Sequence, residues 1–162
     1  MINEPMFDRL AVILLGAQNT GKTSTLKEYS DYYFHKKVST FKKGWRIGIS
    51  PFKPKFHTIK IFAYFLPGSP TETKIPLADT IEPLDWYPDV LLMAEQLNGA
   101  EYQNTVNYLR VHRYHIQEFR LSDKNGIDIW DRWNSKTEET TKLLYRREAI
   151  ADYIRNYILS RI

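Results

Sequence analysis

A chain of 162 residues, 43% hydrophobic and 14% aromatic, has enough apolar surface for one core and too little length for two ordinary domains. A single domain over residues 1–162 is expected, and wholesale disorder is argued against. The chain has no cysteine, which excludes disulfide frameworks and thiolate metal sites, and its longest apolar run, Leu10 to Leu15, falls far short of the roughly 20 residues that span a bilayer.

The formal net charge is +4, but it is placed unevenly. Tyr32 to Thr71 contains no acid and carries Lys36, Lys37, Lys42, Lys43, Arg46, Lys53, Lys55 and Lys60. The next stretch reverses sign, with Glu72, Asp79, Glu82, Asp85, Asp89, Glu95 and Glu101 set against Lys74 alone. Met1 to Pro5 has an early acid, Glu4, and no basic leader ahead of an apolar run, so a cytoplasmic protein with no membrane association is expected.

Leu10 to Leu15 is unbroken, partly β-branched and closed by Gly16, as in a parallel strand covered on both faces. After a glycine-containing loop, Lys22 to about Lys36 carries Leu26, Tyr29 and Tyr33 at helical spacing. Trp45, Ile47 and Ile49 alternate with Arg46, Gly48 and Ser50, which predicts a half-buried strand at or near a sheet edge, ended by Pro51 and Pro54. Phe56 to Leu66 predicts a longer strand that stops at Pro67-Gly68-Ser69-Pro70, and Thr71 to Pro88 reads as an irregular loop with one short helix. Val90 to Ala94 is a further buried strand. Ala100 to His112 has an amphipathic stripe at Tyr102, Val106 and Leu109, and His115 to Leu121 is a fifth strand. Ser135 with Glu138 forms a capping box that opens a long closing helix.

Alternating strands and helices predict an α/β fold, a three-layer α/β/α sandwich with a mostly parallel five-stranded sheet. Because no helix separates the two strands between Lys36 and Leu66, one antiparallel pairing is expected there.

Gly16-Ala17-Gln18-Asn19-Thr20-Gly21-Lys22-Thr23 matches G-x-x-x-x-G-K-[S/T] between the first strand and the first helix. At these residues the chain resembles the P-loop NTPase superfamily. The resemblance implies a nucleoside triphosphate cradled by the backbone of Gly16 to Gly21, including Gln18, Asn19 and Thr20. Lys22 would reach the β- and γ-phosphates, Thr23 would ligate Mg²⁺, and Ser24 would contact the α-phosphate.

Such enzymes usually add an acid at the tip of a neighbouring strand, and Glu95 after Val90 to Ala94 is the candidate, against the alternative that it begins a loop or caps a helix. Gln96, Asn98 and Asp89 come behind it. Pro67, Gly68 and Ser69 stand where many NTPases place an acid.

The Asp-x-x-Gly and Asn-Lys-x-Asp elements of small GTPases are missing, so ATP is favoured over GTP. The chain also resembles small-molecule and nucleotide kinases, whose lids carry arginines; Arg110, Arg113, Arg120, Arg132, Arg146 and Arg147 are the candidates. Trp130-Asp131-Arg132-Trp133 reads as a hydrophobic plug with Asp131 and Arg132 paired at the surface, or as a cluster that stacks a base. The aromatics Phe41, Trp45, Phe52 and Phe56 among the lysines suit either a guarded edge strand or a nucleic-acid surface, with the edge strand preferred. His35, His57, His112 and His115 have no metal-ligand spacing.

Three functions follow: an Mg-ATP hydrolase, a phosphotransferase with its acceptor over the acidic stretch, and a nucleotide-gated module binding nucleic acid or an acidic partner.

Overall fold

The computed structural model describes residues 7–34, 39–40, 46–52, 59–84 and 86–162. Strand β1 (Leu10–Gly16) is buried along its whole length. Helix α1 (Lys22–Tyr33) follows, then β2 (Ser39–Thr40), β3 (Arg46–Phe52) and β4 (Ile59–Leu66). Two short helices, α2 (Pro70–Thr73) and α3 (Leu77–Ile81), and a 3-10 turn at Glu82–Leu84 lead to β5 (Val90–Gln96). The chain ends with α4 (Tyr102–Val111), β6 (His115–Arg120) and α5 (Lys136–Leu159).

The strands form one sheet in the order β2-β3-β4-β5-β1-β6. From β4 to β6 all neighbours are parallel, with Leu10 opposite both Val90 and His115. Parallel strands with helices on both faces have no watery side, which is why β1 and β5 are continuous apolar runs. Alternation along β1 sorts the core into two. Leu10, Val12 and Leu14 pack with Leu26 and Tyr29 of α1 and with Ile150, Ile154 and Tyr157 of α5. Ala11, Ile13 and Leu15 pack with Leu77 and Ile81 of α3 and with Leu109 of α4. The molecule is therefore α/β with helices on both sides of the sheet.

The sheet differs from the expected one in the basic region. It has six strands, not five, because the two-residue β2 pairs with the start of β3; two residues are too few to leave any periodic signal. There are two antiparallel pairings, β2 with β3 and β3 with β4, so that β3 alone runs against the rest among the described strands. Strand β3 also continues through Pro51, which stands opposite Lys60. β2 pairs only with Arg46 and Ile47, so β3 has no described neighbour on its outer side at Pro51, and a residue without an N–H is tolerated there.

Lys36, Lys37, Lys42, Lys43, Lys53 and Lys55, with Phe41, Trp45, Phe56, His35 and His57, lie outside the described residues. Among the described residues no helix is long and apolar enough to cross a membrane.

The closing helix starts as its sequence predicts. Ser135 is the N-cap and its hydroxyl accepts from the Glu138 amide at 3.2 Å, while the Glu138 carboxylate accepts from the Asn134 amide at 3.3 Å. Ser135→Ala removes one acceptor at an exposed helix end. It is expected to lower stability by about 1 kcal/mol, read as a lower urea midpoint with an unchanged slope.

Candidate functional site

The C-terminal ends of β1, β4 and β5 open on the same edge of the sheet, which is where open α/β sheets place ligands. Between β1 and α1 the chain reverses in a tight loop with two left-handed residues, Asn19 (φ 62°) and Gly21 (φ 89°). Gly21 has no room for a side chain, since a Cβ there would come within 2.6 Å of the Trp133 ring. Gly16 is equally confined, with Leu121 O and Thr20 Oγ1 each 2.9 Å from where a Cβ would stand. Inside the loop, the buried Thr20 hydroxyl donates to Ala17 O at 2.8 Å. The Thr25 amide donates to Gly21 O at 2.9 Å, and the amides ahead of it at the start of a helix have no acceptor within the helix.

Gln18, Asn19, Gly21, Lys22, Thr23 and Ser24 line a cavity of about 420 Å³, and the remaining wall is Glu72. The Lys22 ammonium donates to Gly16 O and Ala17 O, both at 2.8 Å, and stands 4.0 Å from a Glu72 carboxylate oxygen. Burial lowers the Lys22 pKa, partly opposed by the negative charges of Glu72 and Glu95. The Thr23 hydroxyl donates to Pro67 O at 3.3 Å, which ties the start of α1 to the residue that follows β4.

The acidic wall is not the one expected from the sequence. Glu95 is wholly buried at the end of β5, one oxygen accepting from the Gln96 amide at 2.9 Å and the other from the Thr105 hydroxyl of α4 at 3.3 Å. It lies close enough to act on Lys22 electrostatically but is not part of the cavity lining. Glu72 takes that place. Ser69 caps α2, accepting from the Glu72 amide at 3.1 Å, and Pro70 opens the helix. The single turn points Glu72 back at Lys22, and Gln96 Nε2 donates to it at 3.0 Å. Ser69-Pro70-Thr71-Glu72 is a capping-box pattern with proline at the first helical position, so the same residues that break β4 also carry the signal that starts α2. Two further acids of the stretch lie elsewhere: Asp89 is buried at the opposite end of β5, accepting from the Phe62 amide at 3.0 Å, and Glu82 accepts from the Tyr108 hydroxyl.

Behind the loop, the segment from Leu121 to Ser135 keeps its tryptophans as packing residues but lacks the expected surface pair of Asp131 with Arg132. Asp131 is buried and does not pair with Arg132. Arg132 instead donates to Asn19 O at 3.0 Å and to Gln18 O at 3.3 Å, bracing the crown of the loop from outside. Trp130 packs on Phe119, and Trp133 covers Gly21.

Arg146 of α5 is completely buried and joins these parts. It donates to Thr20 O and the Thr25 hydroxyl on one side and to Ile129 O and Asp131 O on the other, with Trp133 5.2 Å from its guanidinium carbon. Burial brings its pKa down to about 10, which leaves it charged at neutral pH. Arg147 is held by Glu28 at 2.7 Å, Arg120 is exposed near Glu118, and Arg110 and Arg113 are exposed on and just after α4, away from the cavity lining. Among the described residues no group of three or more His, Asp or Glu is placed to hold a metal.

No family model, curated protein or solved structure matches this chain.

Arg146→Leu would strand carbonyls of both the β1–α1 loop and the 129–131 segment. A loss of about 3–5 kcal/mol in denaturant unfolding is expected, and Arg146→Lys should recover little of it because one ammonium cannot replace the planar fork. For Lys22 the pKa is lower in the folded than in the unfolded chain, so below 10.5 the unfolded state holds more protons and stability rises with pH. Unfolding titrations should show the parent protein gaining stability relative to Lys22→Met as pH is raised from 7 towards 10.

Proposed function

We propose that the chain is a P-loop nucleoside triphosphatase that binds Mg-ATP, with GTP as the alternative nucleotide, through Gly16 to Ser24. The observation that carries this reading is the position of the Lys22 ammonium. Lys22 lines a cavity together with the loop residues, Thr23 and Ser24, and its ammonium stands 4.0 Å from the Glu72 carboxylate. A triphosphate in that cavity would meet the amides that open α1, whose dipole favours an anion. Lys22 would exchange the Gly16 and Ala17 carbonyls for phosphate oxygens, and hydrogen bonds between charged partners are the stronger kind.

Mg²⁺ needs few protein ligands when phosphates and water supply the others. The Thr23 hydroxyl and the Glu72 carboxylate line the same cavity and fit that requirement, Thr23 as a direct ligand and Glu72 through water. Bound there, the ion would neutralise charge on the transferred phosphoryl group. Glu72 then takes the role that the sequence alone gives to Glu95. Gln96 orients it, and Glu95 adds negative charge beneath Lys22 while tying β5 to α4 through Thr105. Hydrolysis is favoured over transfer because, among the described acids from Glu72 to Glu101, Glu72 alone lines the cavity, where an acceptor surface would require several.

Calorimetric titration with Mg-ATP and a phosphate-release assay test this. Lys22→Ala should weaken binding about 10- to 100-fold. Glu72→Gln should retain binding and lower turnover about 100-fold, with phosphate released in the absence of any acceptor. Unchanged affinity in Lys22→Ala would remove the phosphate site, and turnover that appears only with an added acceptor would convert the reading to a kinase.

A further inference from the structure

Beside the Lys22 cavity lies a second one of about 400 Å³, lined by Asn19, Thr20, Asn125, Arg132, Trp133 and Asn134. Asn19 belongs to both linings, so the two cavities meet at the crown of the β1–α1 loop. We propose that this second cavity is the adenine subsite of the nucleotide, with Asn125 and Asn134 reading the base edge and Trp133 giving the surface against which the ring lies. The inference rests on the phosphate-site reading above and adds to it the residues that would choose adenine over guanine.

The lining chemistry selects among ligands. A side-chain carboxamide offers an acceptor and a donor side by side, which matches the amino donor and adjacent ring-nitrogen acceptor of adenine. The corresponding edge of guanine presents neighbouring donors best met by a carboxylate, and no carboxylate is among the lining residues. An indole stacks on any base and contributes affinity without choosing, so the choice falls to the two asparagines. Both are exposed, so their side chains are open to a ligand. Arg132 is already committed, donating to Gln18 O and Asn19 O, and so sets the spacing between the two cavities instead of reading the base.

The subsite is also held rigidly. Lys142 of α5 is buried and donates to Gly126 O and to Arg132 O, both at 2.6 Å. Arg146, one turn along the helix, fixes Ile129 and Asp131 and lies against Trp133. Asn125 and Arg132 are bridged, with the Arg132 amide donating to Lys124 O at 2.9 Å. Two buried cations on a long helix thus build a wall from a segment with no regular structure of its own, and a preformed wall loses little entropy when a ligand arrives.

Titrations of the full chain with Mg²⁺ and inorganic tripolyphosphate, ATP or GTP test this. Tripolyphosphate reports on the phosphate site alone, and the difference between ATP and GTP reports on the base. The expected result is binding of all three, with ATP tightest. Asn125→Ala and Asn134→Ala should each cut the preference for ATP over GTP about tenfold and leave tripolyphosphate affinity unchanged. If tripolyphosphate binds but ATP and GTP bind no tighter than it does, or GTP is preferred, the adenine subsite is overturned and the phosphate site stands. If none of the three binds, the phosphate reading fails and the subsite falls with it. Retained folding of both variants, checked by thermal unfolding, keeps a lost preference from being mistaken for a lost fold.

Discussion

A guanidinium removed from water must be given acceptors, and Arg146 finds its acceptors in two chain segments that Arg132 and Trp133 also bring together. Thr20 and Thr25 belong to the turn between β1 and α1; Ile129 and Asp131 belong to the long connection between β6 and α5. An uncompensated buried charge costs several kcal/mol, so these segments are locked to each other through α5 as firmly as through the hydrophobic core. Arg146 touches both the β1–α1 loop and the segment that carries Trp133, with Arg132 and Lys142 adding further ties on either side.

The parallel topology decides where this arrangement sits. Strands that all run the same way deliver their C-terminal ends to one edge, so Gly16 pairs with Gln96 and Leu66 with Met93 although far apart in sequence. Side chains from three connections then meet over a small opening: Lys22 from the first, Glu72 from the second and Gln96 from the third. A four-residue helix is too short to be stable alone, and α2 persists because Ser69 caps it and Thr71 accepts from the Glu101 amide at 3.1 Å. Through that short helix the Glu72 carboxylate comes to stand beside Lys22.

Much of this was legible in the residues. The buried runs at Leu10 to Leu15 and Val90 to Ala94, the amphipathic stripe of α4 and the capping box at Ser135 each rest on contacts within a few residues, and local patterns report such contacts faithfully. The loop from Gly16 to Thr23 is of the same kind, because glycine is demanded there by backbone reversal and close approach. The acidic wall was misplaced for the opposite reason. Glu95 follows a strand and looks exposed in sequence, yet the packing of α4 closes over it, while Glu72 stands among prolines that mask a helix start. Arg132 and Arg146 were read as surface or lid arginines because their acceptors are backbone carbonyls, which carry no mark in a sequence.

By itself the sequence determined the α/β character, the strand, loop and helix that hold the glycine motif, and the start of the closing helix, since spacing and side-chain chemistry dictate these within one or two turns of chain. Only the tertiary structure decided which carboxylate faces Lys22, that β3 reverses between two neighbours, and that α5 supports the loop through buried cations. Those outcomes depend on pairings between residues as many as 126 positions apart, such as Arg146 with Thr20, and no local pattern records which distant carbonyl a buried charge will find.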